Sequence, residues 1–291
     1  MNYALDALWW RLTDPYVRDL AAILTAPPLW HSGFELSVRA LLGETGFRYL
    51  LDLNDYPEQL QQSVNNKQPF AGRLGFYAEH LLAFWLENAP HTELLGHNVV
   101  LKNAEGQTEG EADFIALFNG EPYHLELTCK YYGCLSGRPS EMVGLNPNDS
   151  LLQKAAKLKH QLGLLNSESG RKILSGLRVD PQKMKTASIV RGVGFSAKAQ
   201  PVPTEPLNAY GWHGQYVEHW TDDIFSDGHE HRYYVFPRMN LLAPARVRSQ
   251  DTVGQAEICA VKSGIVAVLT QRPDGYWHES QRIMKTDTDV S

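Results

Sequence analysis

Three carboxylates and a lysine inside a short apolar hairpin limit what this chain can become. Glu111, Asp113, Glu126 and Lys130, within the stretch Glu109 to Tyr132, carry that pattern. Asn119-Gly120 is a two-residue turn signal, because both residue types tolerate positive φ. The arm before it, Ala112 to Phe118, is strongly apolar, and the arm after it, Tyr123 to Tyr131, alternates. Successive strand side chains point to opposite faces. Glu111 and Asp113 therefore share one face of the first strand, and Glu126, Thr128 and Lys130 share one face of the second. Carboxylates in largely buried strands are rare unless they are paired or metal-bound. Asp113 and Glu126 are thus expected to converge, while Glu111, nearer the strand end, is the weaker candidate for a ligand.

The rest of the chain supplies the scaffold. At 291 residues it can form one large domain or two small ones with a real core. The sequence to Lys67 reads as helical. Asp14-Pro15 is a helix start and Pro27-Pro28 a stop. Phe34–Leu42 and Pro57–Val64 are expected as further short helices, with Trp9, Trp10 and Trp30 as packing residues. Phe70 to Leu86 predicts a helix with Leu74, Tyr77, Ala78, Leu81 and Trp85 in one apolar stripe. Glu79 lies off that stripe, with Gly72 and Gly75 on its own face, which points to close approach of a sheet or a ligand. A strand over His91–Lys102 precedes the hairpin, and a Gly/Pro/Ser/Asn-rich loop over Gly133–Asn148 follows it. Asp149 or Ser150 caps a helix over Leu151–Leu165, whose polar stripe is Ser150, Lys154, Lys157 and Gln161. Thr186–Phe195 reads as the next strand.

Beyond Gln200, three prolines (Pro201, Pro203 and Pro206) mark a linker or crossing loop. Trp212, Tyr216 and Trp220 stand at helical spacing and suit core packing. His213, His219, His229 and His231 match no standard zinc spacing. Strands are expected over Tyr233–Phe236, Ile265–Thr270 and Tyr276–Met284. The resulting expectation is three segments: a helical segment over 1–67, an α/β core over 68–200, and an aromatic-rich segment over 201–291 packed on the core as one structural unit.

Charge and cysteine usage narrow the setting. The net charge is −6, yet Leu151 to Gln200 holds ten basic residues and two acidic ones, a local balance of +8. Such asymmetry suits an anionic partner, and also suits a merely solvated helix and loop. No run of about 18 apolar residues exists, so no membrane span is expected. The start of the chain lacks the pattern of a secretion signal, and Cys129, Cys134 and Cys259 show no paired metal spacing. A cytoplasmic location is the expectation.

The ordered motifs carry a resemblance. Gly-Glu-Ala-Asp, a strand, Asn-Gly, and a second strand ending His-Leu-Glu-Leu-Thr-Cys-Lys resemble the active-site hairpin of the PD-(D/E)XK nuclease-like superfamily. Arg73-Leu-Gly-Phe-Tyr-Ala-Glu-His, Lys159-His-Gln-Leu, Gly211-Trp-His and Phe236-Pro-Arg-Met-Asn-Leu-Leu-Ala-Pro extend the likeness to an uncharacterised bacterial domain-of-unknown-function family related to it. The resemblance implies a restriction-endonuclease-like α/β core, a mixed central sheet flanked by helices, with an N-terminal helical extension and C-terminal strands. It implies that Glu79, Asp113 and Glu126 hold a Mg²⁺ or Mn²⁺ ion and that Lys130 assists catalysis. The motif's lysine belongs where Thr128 stands. Lys130 is on the same face but about 13 Å from Glu126 along the strand, against about 7 Å for the usual place. Lys154 or Lys157 could supply that charge instead, and with Gln161 they are the candidate nucleic-acid contacts. Two functions follow. One is metal-dependent hydrolysis of nucleic-acid phosphodiesters. The other is a nuclease-like module, without activity, that binds nucleic acid or protein. A purely structural ion-pair network is the plainest alternative.

Overall fold

The computed structural model describes residues 11–197, 203–221 and 231–287. The fold is mixed α/β. Nine strands are hydrogen-bonded among the described residues, in the order β1-β2-β3-β4-β5-β9-β8-β6, with β7 on β9. The chain divides into two compact units whose limits fall inside β3 and β4. One is Met1–Cys129 with Ala155–Arg191, and the other is Lys130–Lys154 with Gly192–Ser291.

The first unit begins with α1 (Pro15–Thr25). Asp14 caps it as expected: its Oδ1 accepts from the backbone N–H of Tyr16 at 2.9 Å and of Val17 at 3.0 Å. Next come α2 (Val38–Leu42), α3 (Gly46–Asp55) and α4 (Glu58–Lys67). α2 and α4 fall where the sequence predicts short helices, and α3 is an addition to them. That helix opens on a glycine and has no side-chain cap, so its start carries no local signal; Leu50 and Leu53 hold it by burial. α5 (Leu74–Asn88) starts later than expected, after a 3₁₀ turn at Phe70–Gly72. Gly72, at φ +65°, precedes the helix and does not share a helical face with Glu79.

β1 (Thr92–Lys102), β2 (Thr108–Phe118) and β3 (Glu121–Gly133) follow as an antiparallel meander. The β2–β3 turn is Asn119-Gly120, at φ +50° and +82°, as the dipeptide predicted. α6 (Leu151–Gln161) is shorter than the sequence suggested. A further helix, α7 (Glu168–Gly176), was not foreseen. Its two glycines weaken the helical signal, but a Cβ on Gly170 would lie 2.5 Å from the Leu165 Cα, so close packing demands glycine there. Leu164, Leu165, Leu174 and Val179 bury Leu101, Ala112 and Ile115 of the β1–β2 pair. β4 (Lys185–Ser196) matches its expected span closely.

The second unit contains the far ends of β3 and β4, then β5 (Trp212–Tyr216), β6 (Arg232–Val235), β7 (Arg246–Val247), α8 (Gln255–Cys259), β8 (Gly264–Gln271) and β9 (Trp277–Lys285). β5 runs parallel to β4 and to β9, and β8 lies antiparallel to β9 and to β6. The helical reading of Trp212 and Tyr216 is corrected: they are two ends of a strand. A spacing of four satisfies both the helical period and the strand period of two, so the pair alone could not choose. Tyr216 and Trp220 are buried, as expected of packing residues. Trp9, Trp10, Pro201 and His229 lie outside the described residues.

One backbone contact in this unit is tight enough to test. Gly192 sits at φ +138°, and a Cβ there would fall 1.6 Å from the carbonyl oxygen of Lys130. Gly192→Ala should therefore destabilise the protein by more than about 3 kcal/mol, through steric overlap and backbone strain together. Urea unfolding followed by tryptophan fluorescence measures it, and a loss under about 1 kcal/mol would contradict the contact.

Candidate functional site

The hairpin's carboxylates lie where the β2–β3 ladder ends. Backbone pairing runs from Phe118↔Glu121 to Phe114↔Leu125. At the next step the side chains take over. Asp113 Oδ2 accepts from the Leu127 backbone N–H at 2.8 Å, and Glu126 Oε1 accepts from the Asp113 backbone N–H at 3.3 Å. Each carboxylate thus satisfies backbone on the opposite strand, in place of a carbonyl. Ile115 pairs with His124, so Asp113, Ile115, His124 and Glu126 share one face of the hairpin.

Burial makes this arrangement costly to disturb. Glu126 is 1% exposed, His124 is 0% exposed and Thr128 is 3% exposed. His124 Nε2 lies 2.9 Å from Glu126 Oε1. On the same face, His124 Nδ1 and Thr128 Oγ1 are buried without a hydrogen-bond partner. Asp113 is half-buried and Glu111 is exposed.

The other expected site residues have settled differently. Glu79 is half-buried on α5, and its Oε1 lies 3.8 Å from where a Cβ on Gly75 would stand. The structure thus keeps the expected juxtaposition of Glu79 with Gly75, though not with Gly72. Among the described residues, no three His, Cys, Asp or Glu side chains are grouped to hold a metal ion. Asp113 and Glu126 are joined as a pair through each other's strands. Lys130 belongs to the second unit, where its Nζ is 2.5 Å from Asp149 Oδ2, and the Tyr132 hydroxyl donates to Asp149 Oδ1 at 2.8 Å. Burial, then the neighbouring Asp149, holds the Tyr132 hydroxyl well above the usual phenol range.

On α6, Lys157 is exposed, while Lys154 and Gln161 are half-buried. Gln161 Oε1 is buried without a hydrogen-bond partner. The basic stretch is smaller in practice than in sequence. Arg191 is 5% exposed, with Nε on the Ile23 carbonyl at 2.6 Å, and burial pushes its pKa down to about 10. Lys185 pairs with Glu121 at 2.6 Å. Lys198 is outside the described residues. Lys157, Lys159, Arg171, Lys172, Arg178 and Lys183 remain as an exposed set. Trp30, 1% exposed, lines a cleft of about 290 Å³ with His31, Ser32, Ala155, Ala156 and Lys159.

Two residues in this network had no assigned role from sequence. His124 could have been found by alternation, since it stands two residues before Glu126. Asp149 was expected only as a helix cap, and nothing in the sequence ties it to Lys130.

The donor set suits a hard cation. Mg²⁺ is commonly held by one or two carboxylates, with water and substrate phosphate completing its shell. Asp113 and Glu126 supply that number and type, so a full protein cage is unnecessary.

The architecture and this pair define an α/β protein with a carboxylate hairpin between its strands. The chain belongs to the family described as Domain of unknown function (DUF1853), whose model matches residues 18–284. No curated protein and no solved structure matches it.

Removing the acceptor should expose the cost of the network. Glu126→Ala removes the carboxylate that accepts from the Asp113 N–H and the His124 ring, and should destabilise the fold by about 2–4 kcal/mol. Glu126→Gln keeps an acceptor and should lose less than half as much. Equal losses for the two variants in urea melts would contradict the hydrogen-bond account.

Proposed function

We propose that this protein hydrolyses phosphodiester bonds of nucleic acid, with Asp113 and Glu126 holding a Mg²⁺ or Mn²⁺ ion, in the manner of the PD-(D/E)XK nuclease-like proteins. The observation that carries the reading is the interlocked carboxylate pair at the end of the β2–β3 ladder. Both acids are held by hydrogen bonds to backbone N–H groups, so their orientation needs no substrate to form. A divalent cation bound there would polarise a phosphoryl oxygen and lower the pKa of a bound water. The remaining work falls to the chain's own groups. Exposed lysines and arginines on and after α6 would neutralise phosphates and align the strand. In this reading Glu79 and Lys130 act as supporting catalytic groups, and Lys154, Lys157 and Gln161 contact the nucleic acid.

A second reading keeps the nucleic acid and drops the chemistry. It is favoured by one observation: the Lys130 ammonium is already paired with Asp149. A lysine engaged in that way is not offering its charge to a phosphoryl group. The same fold would then serve as a binding module.

Mn²⁺ titration calorimetry and a cleavage assay on labelled single- and double-stranded DNA and RNA separate the two readings. Wild type should bind Mn²⁺ and cut at least one substrate, and Asp113→Asn should lose both activities. Lys130→Met should keep Mn²⁺ binding and lose rate. Nucleic-acid binding with neither Mn²⁺ uptake nor cleavage supports the second reading and ends the first.

The binding surface has its own test. Replacing Lys157, Lys159 and Lys172 together by Gln should weaken DNA or RNA binding. The log–log salt slope should fall by about 2–3, roughly one for each lost phosphate contact. An unchanged slope removes this surface from the interface.

A further inference from the structure

The geometry points to His124 as the positioning residue that aims Glu126 at the cation; this rests on the metal-dependent reading above. His124 and Glu126 are two apart on β3, share a face and are both essentially fully buried. Their contact, Nε2 to Oε1 at 2.9 Å, is of ordinary hydrogen-bond length and desolvated.

The tautomer follows from the atoms around the ring. An ionised carboxylate only accepts hydrogen bonds, so the proton must sit on Nε2. Nδ1 is buried without a partner. With the proton on Nε2, the orphan at Nδ1 is a lone pair. With the proton on Nδ1, the orphan would be an N–H, and a lone pair would face the carboxylate. An unpaired buried acceptor is better tolerated than an unpaired buried N–H. Nε2 is therefore the donor, and Glu126 Oε1 accepts its hydrogen bond.

That donation has a directional consequence. Among the described residues, the hydrogen bonds to the Glu126 carboxylate, from His124 and from the Asp113 N–H, both fall on Oε1. Oε2 is thereby left as the oxygen to face a cation. A carboxylate pinned through one oxygen cannot rotate to chelate with both, and it presents the other in a fixed direction. Groups that orient metal ligands in this way typically change metal affinity 10–100-fold when removed. Burial alone gives no reason for histidine here: an apolar side chain would fill the space without an orphaned Nδ1.

The test uses the purified full-length chain and Mn²⁺ alone, read by calorimetry, with thermal melting to confirm folding. His124→Leu removes the donor and should weaken Mn²⁺ binding by about 10-fold or more. His124→Gln can place an amide N–H near the position of Nε2 and should stay within about 3-fold of wild type, whereas His124→Asn reaches only the Nδ1 position and should resemble His124→Leu. If His124→Leu does not fold, the Gln and Asn variants carry the comparison. Recovery by Gln and not by Asn supports the assignment. Wild-type affinity in His124→Leu, or equal affinity in Gln and Asn, overturns it while the metal-dependent reading stands. A wild-type chain that takes up no Mn²⁺ overturns both.

Discussion

A carboxylate that is 1% exposed, in a strand whose two faces are both largely covered, has to find its hydrogen-bond donors inside the protein. Glu126 finds them in an imidazole and in the backbone N–H of Asp113. Leaving a buried charge unpaired costs several kcal/mol, a large fraction of the stability of any domain. The hairpin is built around avoiding that cost. The ladder ends at Phe114↔Leu125, and the side chains of Asp113 and Glu126 bridge the strands beyond it. A regular ladder there would have consumed the N–H groups that the acids need.

Other buried or half-buried charges follow the same rule. In the second unit, Arg282 donates to Glu279 and to the backbone carbonyls of Leu241 and Ala243. Lys130 and the Tyr132 hydroxyl converge on Asp149. In the first unit, the Arg191 guanidinium reaches the carbonyls of Ile23 and Val190. These contacts are structural in kind, since each closes a polar group onto backbone or an opposite charge. The Asp113–Glu126–His124 cluster carries two buried polar atoms on one face, His124 Nδ1 and Thr128 Oγ1, without a hydrogen-bond partner, and Arg191 Nη2 is a further such atom elsewhere in the first unit. Native proteins seldom leave such atoms without cause.

Membership of a family of unknown function supplies no substrate, so the chemistry has to be argued from the atoms. The pair of oxygen donors argues for a hard cation, and the exposed lysines and arginines that follow argue for a polyanion. Displacement of the lysine from the position of Thr128 to that of Lys130 pulls against catalysis. Its partner Asp149 gives that displacement a physical meaning: the ammonium serves the far end of β3.

The sequence by itself determined the parts governed by short-range rules. Asn119 and Gly120 fix the hairpin turn because few other residues accept positive φ, and alternation then places Asp113 and Glu126 on one face. Asp14 and Pro15 fix the first helix start through capping geometry. Where two periods agree, the sequence was mute: Trp212 and Tyr216 fit helix and strand alike, and only pairing with β4 and β9 made them a strand. The uncapped start of α3 and the glycine-weakened α7 became helices with the burial of Leu50, Leu53 and Leu174. Above all, charge counted along the chain is not charge presented to a partner. Arg191 counts as basic in sequence but is buried against α1, and Lys130 reads as a site lysine but is taken by a carboxylate 19 residues away. Side chains distant in sequence meet only when the chain has packed, so their pairing was decided by the tertiary structure alone.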